Sequence, residues 1–220
     1  MPRKKRSWVV RPSPGPHKKF ESIPLLIVIR DFLNLTDEGR DARKIIKANE
    51  VLVDGKPRKD HKYPVGLFDA IEIPKIGKRY RVVPTSSGLD LIEIPKKEAS
   101  LKFVRINDKT MVKEGKLQLN LHDGKNLIIE KKGSEYKTGD SLLIELPSQK
   151  IVDHLKMDKG MLALIVGGEN MGKTVTVNEV IITKSREANK VICEKGKEQF
   201  ETIKDYVFVV GKTKPLIKIE

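Results

Sequence analysis

Beyond Tyr80 the sequence abandons the apolar spacing of an amphipathic helix. Short runs rich in Val, Ile and Leu alternate with turn signals at 80–83, 89–94, 101–106, 117–121, 126–130 and 141–146. Asp123-Gly124 and Gly139-Asp140 mark two of the turns. Runs this short satisfy their backbone donors and acceptors only by pairing with one another, so the pattern predicts a small barrel or sandwich. A last β segment over 161–210 is broken by Gly167, Gly168 and Gly172. No repeat appears at the roughly 20–50-residue periods that signal a solenoid.

Ahead of this β region the pattern is helical. Leu25, Leu26, Ile29, Phe32 and Leu33 fall on one arc at about 100° per residue, which predicts a helix over 23–35 with Pro24 in its first turn. Thr36 is then the expected N-cap of a second helix reaching Asn49, with Asp37 and Glu38 placed against the positive end of its dipole. Ala42, Ile45 and Ile46 share one face of that helix. Arg40, Arg43, Lys44 and Lys47, spaced i, i+3, i+4 and i+7, line the other. Val51-Leu52-Val53 and Asp54-Gly55 follow as a strand and a tight hairpin turn, with Lys56, Arg58, Lys59 and Lys62 just past it. Helices first and strands afterwards make the chain α+β.

Charge narrows the function. The 220 residues carry 44 Lys+Arg against 30 Asp+Glu, a formal net charge of +14, which points to a polyanionic partner. Half of that excess, +7, lies in residues 1–20 as Arg3, Lys4, Lys5, Arg6, Arg11, Lys18 and Lys19, with no acidic residue among them. Pro2, Pro12, Pro14 and Pro16 make a packed helix or central strand improbable there, so an extended basic arm without an internal partner is expected. A solvated tail or an import signal would share that composition. Only 11 aromatic residues, one Trp, four Tyr and six Phe, are present, so contacts to phosphate and shape should dominate over base stacking.

The chemistry that a catalytic reading needs is sparse. Residues 167–174, Gly-Gly-Glu-Asn-Met-Gly-Lys-Thr, satisfy the P-loop string, and an apolar run precedes them. A working P-loop opens a helix at its Lys-Thr, because the helix N-terminus supplies donors to the phosphates. Here Val175-Thr176-Val177 continue in β-branched residues that favour a strand. His17, His61, His122 and His154 lack metal-ligand spacing with the lone Cys193, so no metal, nucleotide or other cofactor is expected. The longest uncharged run, 160–168, is nine residues, far short of a membrane helix. With no apolar leader after the basic start and one cysteine, a reducing cytoplasm is expected.

Several segments carry a family resemblance. Arg11-Pro12-Ser13-Pro14-Gly15-Pro16-His17 and Ile23-Pro24-Leu25-Leu26-Ile27-Val28-Ile29-Arg30-Asp31 resemble the small-subunit ribosomal protein S4e family of archaea and eukaryotes. Residues 40–73, with Arg43-Lys44-Ile45-Ile46 and Glu50-Val51-Leu52-Val53-Asp54-Gly55-Lys56, resemble its S4-type RNA-binding domain. Residues 117–124 and 147–154 resemble its central β region, and 159–173 its KOW motif, an element of an SH3-like barrel. Two departures stand out: seven residues precede Trp8 where the family's basic segment is longer, and Val175 stands where a glycine usually follows the KOW lysine.

The resemblance implies an arm over 1–20, an S4-type two-helix-plus-hairpin domain over 21–74, a barrel-like central domain over 75–155 and a KOW SH3-like barrel over 156–220. It implies a non-catalytic constituent of the cytoplasmic small ribosomal subunit, with small-subunit rRNA and neighbouring ribosomal proteins as partners. The RNA-binding residues are then expected to be the arm cations Arg3, Lys4, Lys5, Arg6, Arg11, Lys18 and Lys19. To these are added Arg40, Arg43, Lys44 and Lys47 of the helix and Lys56, Arg58 and Lys59 after the hairpin. Gly167, Gly168, Asn170, Gly172 and Lys173 of the KOW loop would meet RNA or protein. A KOW-type transcription or ribosome-associated factor, and more remotely a P-loop hydrolase, are the competing readings.

Overall fold

The computed structural model describes residues 9–112, 115–130, 135–183, 187–196 and 198–219. Their backbone is mostly strand with few helices, arranged as an α+β fold of three five-stranded antiparallel sheets and one two-stranded ribbon.

The first part holds β1 (Ser22–Pro24), α1 (Leu25–Ile27), α2 (Gly39–Lys47), β2 (Leu52–Val53), β3 (Lys56–Pro57), β4 (Pro64–Gly66), β5 (Ala70–Ile73), β6 (Lys78–Thr85) and β7 (Gly88–Glu93). The helix expected over 23–35 is shorter than its apolar arc. Ile23 and Pro24 instead pair with β4, and the N–H groups of Leu25 and Leu26 donate to the carbonyls of Tyr63 and His61 at 2.9 Å. After α1 the chain widens into a π-helical turn, Val28–Phe32, closed by the Leu33 N–H on the Val28 carbonyl five residues back. Tertiary pairing has overridden periodicity here. Thr36 does not cap α2: Glu38 is the extended residue ahead of it, the helix starts at Gly39, and Thr36 Oγ1 is buried without a hydrogen-bond partner.

Ala42 and Ile46 anchor α2 in a core with Leu25, Leu26, Ile29, Val53 and Ile71. Asp54 and Gly55, at φ 53° and 71°, make the turn of the expected hairpin, which registers Leu52 on Pro57 and Val53 on Lys56. The sheet order is β3-β2-β5-β6-β7. It therefore runs across the domain boundary expected at residues 74–75, because β6 pairs with β5 from Ala70 to Ile73.

A short helix, α3 (Lys96–Ala99), which periodicity had not indicated, leads into the second sheet. That sheet, ordered β10-β9-β8-β11-β12, contains β8 (Leu101–Met111), β9 (Leu117–Leu121), β10 (Asn126–Ile129), β11 (Ser141–Glu145) and β12 (Ile151–Leu155). The third, ordered β16-β15-β14-β13-β17, contains β13 (Leu162–Ile165), β14 (Thr174–Ile181), β15 (Lys190–Lys195), β16 (Glu198–Ile203) and β17 (Val207–Gly211). Val175 is a buried strand residue registered with Ala163.

Where the sheets meet, three phenyl rings contributed by different parts interlock: Phe68 lies 5.5 Å from Phe103 and 4.8 Å from Phe208, edge to face. Beside them the fully buried Lys102 of β8 places its Nζ 2.7 Å from Asp54, 2.5 Å from Asp69 and 3.1 Å from Asp123. Lys125 adds a second ammonium, 2.8 Å from Asp54 and 3.1 Å from Asp123. Burial alone would lower the Lys102 pKa, but the three carboxylates outweigh it and hold the ammonium well above its ordinary range. Burial likewise opposes ionisation of Asp69 and Asp123, and their cationic neighbours, Lys102 foremost, pull both below the usual carboxylate range. Two arginines make further ties, Arg81 fully buried and Arg105 half-buried. Arg81 of β6 donates to the carbonyls of Glu98 (2.7 Å), Leu101 (3.0 Å) and Lys218 (2.9 Å), and Arg105 of β8 donates to that of Asp205 (2.5 Å).

Replacing Lys102 with Met would leave Asp54 and Asp123 on the single ammonium of Lys125 and buried Asp69 with His17 as its side-chain partner, and we expect a loss of about 3–5 kcal/mol in urea denaturation. A loss below about 1 kcal/mol would show that the cluster is not needed for folding.

The pH dependence has a definite sign. Asp69 and Asp123 are depressed in the folded state, and burial holds the His122 imidazole down at about 3, so the unfolded chain binds more protons at acid pH. Stability should thus be full near pH 7, begin to fall below about pH 6.5 as unfolded histidine titrates, and fall more steeply below about pH 4. Imidazole nitrogen NMR should find His122 still neutral at pH 5, with Nδ1 accepting from the Arg105 N–H at 3.2 Å.

Candidate nucleic-acid interface

The helix stripe forms as its spacing requires. With Ala42 and Ile46 buried, Arg40, Arg43, Lys44 and Lys47 all stand exposed on the far side of α2. Lys44 donates to Asp41 one turn back at 2.8 Å, which tethers it without hiding it. His61 is held below its ordinary pKa first by partial burial and then by the positive charge of Arg43, with Lys62 and Lys47 adding to it. Helix and loop therefore bring their cations to one place. His61 and Lys62 were not among the expected site residues, since only the fold puts the 61–62 loop beside α2; the place of Lys62 in the run of cations after the hairpin was the available signal.

Past the hairpin, Lys56 and Lys59 are exposed. Arg58 is half-buried, its guanidinium 4.4 Å from the centre of the Tyr63 ring, a stacked arrangement that restricts the side chain.

Arg3, Lys4, Lys5 and Arg6 lie outside the described residues. Arg11, Lys18 and Lys19 are exposed, but the segment carrying them is not without internal partners, which corrects the expectation of a wholly free arm. The Ser13 N–H donates to the Lys62 carbonyl at 2.9 Å, and His17 is buried with Nε2 donating to Asp69 at 3.0 Å. Proline-rich backbone can seat in a groove without a strand or helix pattern, so periodicity is blind to it.

The glycine loop is largely occupied by the protein itself. A Cβ on Gly167 would come within 2.7 Å of the Tyr206 ring, and one on Gly172, at φ 85°, within 2.8 Å of the Thr85 backbone in the β6–β7 turn. Gly168 is exposed at the loop's outer side. Asn170 is half-buried, and exposed Lys173 donates to its Oδ1 at 2.7 Å. Thr174 opens β14, antiparallel to β13, where a phosphate-binding loop would open a helix. Among the described residues no group of His, Cys, Asp or Glu could hold a metal ion, and no helix is long and apolar enough to cross a membrane.

Fold and surface together define a β-rich α+β protein whose recognisable sites are cationic faces. Comparison with known proteins gives the class a name. The sequence model described as "Ribosomal family S4e" matches residues 76–151. Small ribosomal subunit protein eS4 of Archaeoglobus fulgidus is 48% identical over 100% of this chain and 92% of its own length, and that of Methanosphaera stadtmanae 45% identical over 99% and 89%. Among solved structures, the 30S ribosomal protein S4e of Thermoplasma acidophilum superposes with a TM-score of 0.75 at 36% identity, covering 88% of this chain and 96% of that one. The chain belongs to the ribosomal S4e family. These similarities give no support to the transcription-factor or nucleotide-hydrolase readings.

The P-loop string accordingly has a simple test. Equilibrium dialysis with ATP or GTP should find no saturable binding, and Lys173→Ala should change nothing. Binding or hydrolysis lost on that substitution would overturn the structural reading of the loop.

Proposed function

We propose that this chain is a structural component of the small ribosomal subunit that binds and stabilises small-subunit rRNA. Family membership makes it a non-catalytic ribosomal protein of the cytoplasmic small subunit. The RNA-binding role is carried by one observation: Arg40, Arg43, Lys44 and Lys47 all stand exposed on one face of α2, opposite buried Ala42 and Ile46. Cations grouped in this way release counterions from a phosphate backbone, whereas scattered ones would not act on a single strand.

On this reading the two helices and hairpin act as an S4-type RNA-binding domain, with Lys56, Arg58 and Lys59 extending its surface. The second sheet is a barrel-like spacer, and the third a KOW-type SH3-like barrel whose Asn170 and Lys173 face RNA or a neighbouring ribosomal protein. Arg11, Lys18 and Lys19, with Arg3, Lys4, Lys5 and Arg6 ahead of them, run along RNA from an anchored base. In high-salt sucrose gradients the protein should remain with small subunits.

Replacing Arg43 and Lys47 with Gln removes two exposed charges and no buried group, so circular dichroism should be unchanged. The log K versus log salt slope for rRNA fragments should drop in magnitude by roughly 1.5, because each phosphate contact contributes about 0.7–0.9. An unchanged slope in a folded double variant would make the stripe a solvated face.

A further inference from the structure

A cleft of about 780 Å³ opens where the N-terminal segment meets the three sheets. Among the described residues, the aromatic side chains left exposed are Phe20, at 77%, and Tyr206, at 37%, and both line this cleft. Every other described Phe or Tyr is at least partly packed away. Tyr206 lies over Gly167 and Gly168, whose missing side chains let its ring rest on bare backbone. Phe20 follows Lys18 and Lys19, with the Lys19 Nζ 5.9 Å from its ring centre.

The charge around these rings is mixed but includes three cations, Lys18, Arg105 and Lys204, against Glu21 and Asp205. Arg105 is committed to the Asp205 carbonyl and Lys204 donates to that of Thr138 at 2.8 Å, while the Lys18 side chain is 82% exposed, 3.6 Å from Glu21. An aromatic surface backed by backbone, beside the exposed Lys18 ammonium and in a pocket of small-ligand size, is the chemistry that accepts an unstacked base with its phosphate. A duplex needs no such rings, since its bases are already stacked.

We infer that this cleft takes one unpaired nucleotide of an RNA strand, its base against Tyr206 with Phe20 as the second aromatic contact and its phosphate toward Lys18. The inference rests on the RNA-binding reading above and adds to it a base-contacting site that the cations of α2 do not supply.

The test uses the full-length chain and purified small-subunit rRNA. Ultraviolet irradiation of the complex, digestion and mass spectrometry should recover a nucleotide adduct on the peptide of Tyr206 or Phe20. Phe20→Ala, at a side chain that is 77% exposed, and Tyr206→Ala should each leave circular dichroism unchanged and weaken binding on the order of tenfold. Neither removes a cation, so the salt slope should stay as it was. Tyr206→Phe should restore affinity, which separates stacking from a role of the hydroxyl. Unchanged affinity in both alanine variants, with adducts confined to other peptides, would overturn the inference while leaving the α2 interface intact. Shielding of both rings by a neighbouring ribosomal protein in the subunit would overturn it as well. If the unaltered chain fails to bind rRNA at all, the broader reading falls first and this one with it.

Discussion

The Lys102 ammonium is the point on which the joining of the first two sheets depends. Its carboxylate partners come from the β2–β3 turn, the β4–β5 connection and the β9–β10 turn, and none is near it in sequence: Asp54 is 48 residues away and Asp69 33. Desolvating an ammonium costs several kcal/mol, which falls away only when all its partners arrive in place. A buried charge therefore discriminates against any sheet packing in which one turn is displaced, a penalty that apolar contacts alone would not impose. The phenyl rings beside it supply attraction without such selectivity.

The same residue types serve two ends. Arg81 and Lys102 are spent inside, on carboxylates and on carbonyls of the neighbouring parts, and half-buried Arg105 is spent on a carbonyl beside the cleft, whereas Arg40, Arg43, Lys44 and Lys47 are held outward because the opposite face of their helix is buried. Net charge cannot separate these groups. Context does: Lys102 stands between Leu101 and Phe103 in a run where the strand is covered on both faces, while the helix cations repeat at the spacing of one exposed stripe.

This explains which parts were legible in the sequence. The strands after Tyr80 and the Asp54-Gly55 hairpin depend on local alternation and turn chemistry, and they form where expected. The helix over 23–35 was overestimated because pairing of Ile23 and Pro24 with residues 64–65 is invisible to a local window. The sheet that crosses residues 74–75 was missed for a related reason, since nothing in β6 states which neighbour it will join. In the candidate interface the stripe could be read from its period, but His61 and Lys62, the seated proline segment and the Phe20–Tyr206 cleft are products of long-range packing.

The seated segment also links the buried cluster to the surface. Asp69 binds Lys102 with one oxygen and accepts from the Gly66 N–H with the other, while His17 Nε2 stands 3.0 Å from both. His17 in turn is one residue from Lys18 and three from Phe20, so the carboxylate that completes the junction also fixes where those two side chains emerge. A polar contact made by a free arm must overcome the entropy of ordering about 1–2 kcal/mol per residue of backbone. From Ser13 to His17 that ordering is already accomplished by folding, so contacts made from Lys18 onward start from a fixed base. Loss of the Lys102 cluster would then be felt at the cleft as misplacement of Phe20 and Lys18, even in a chain that still carries every exposed cation.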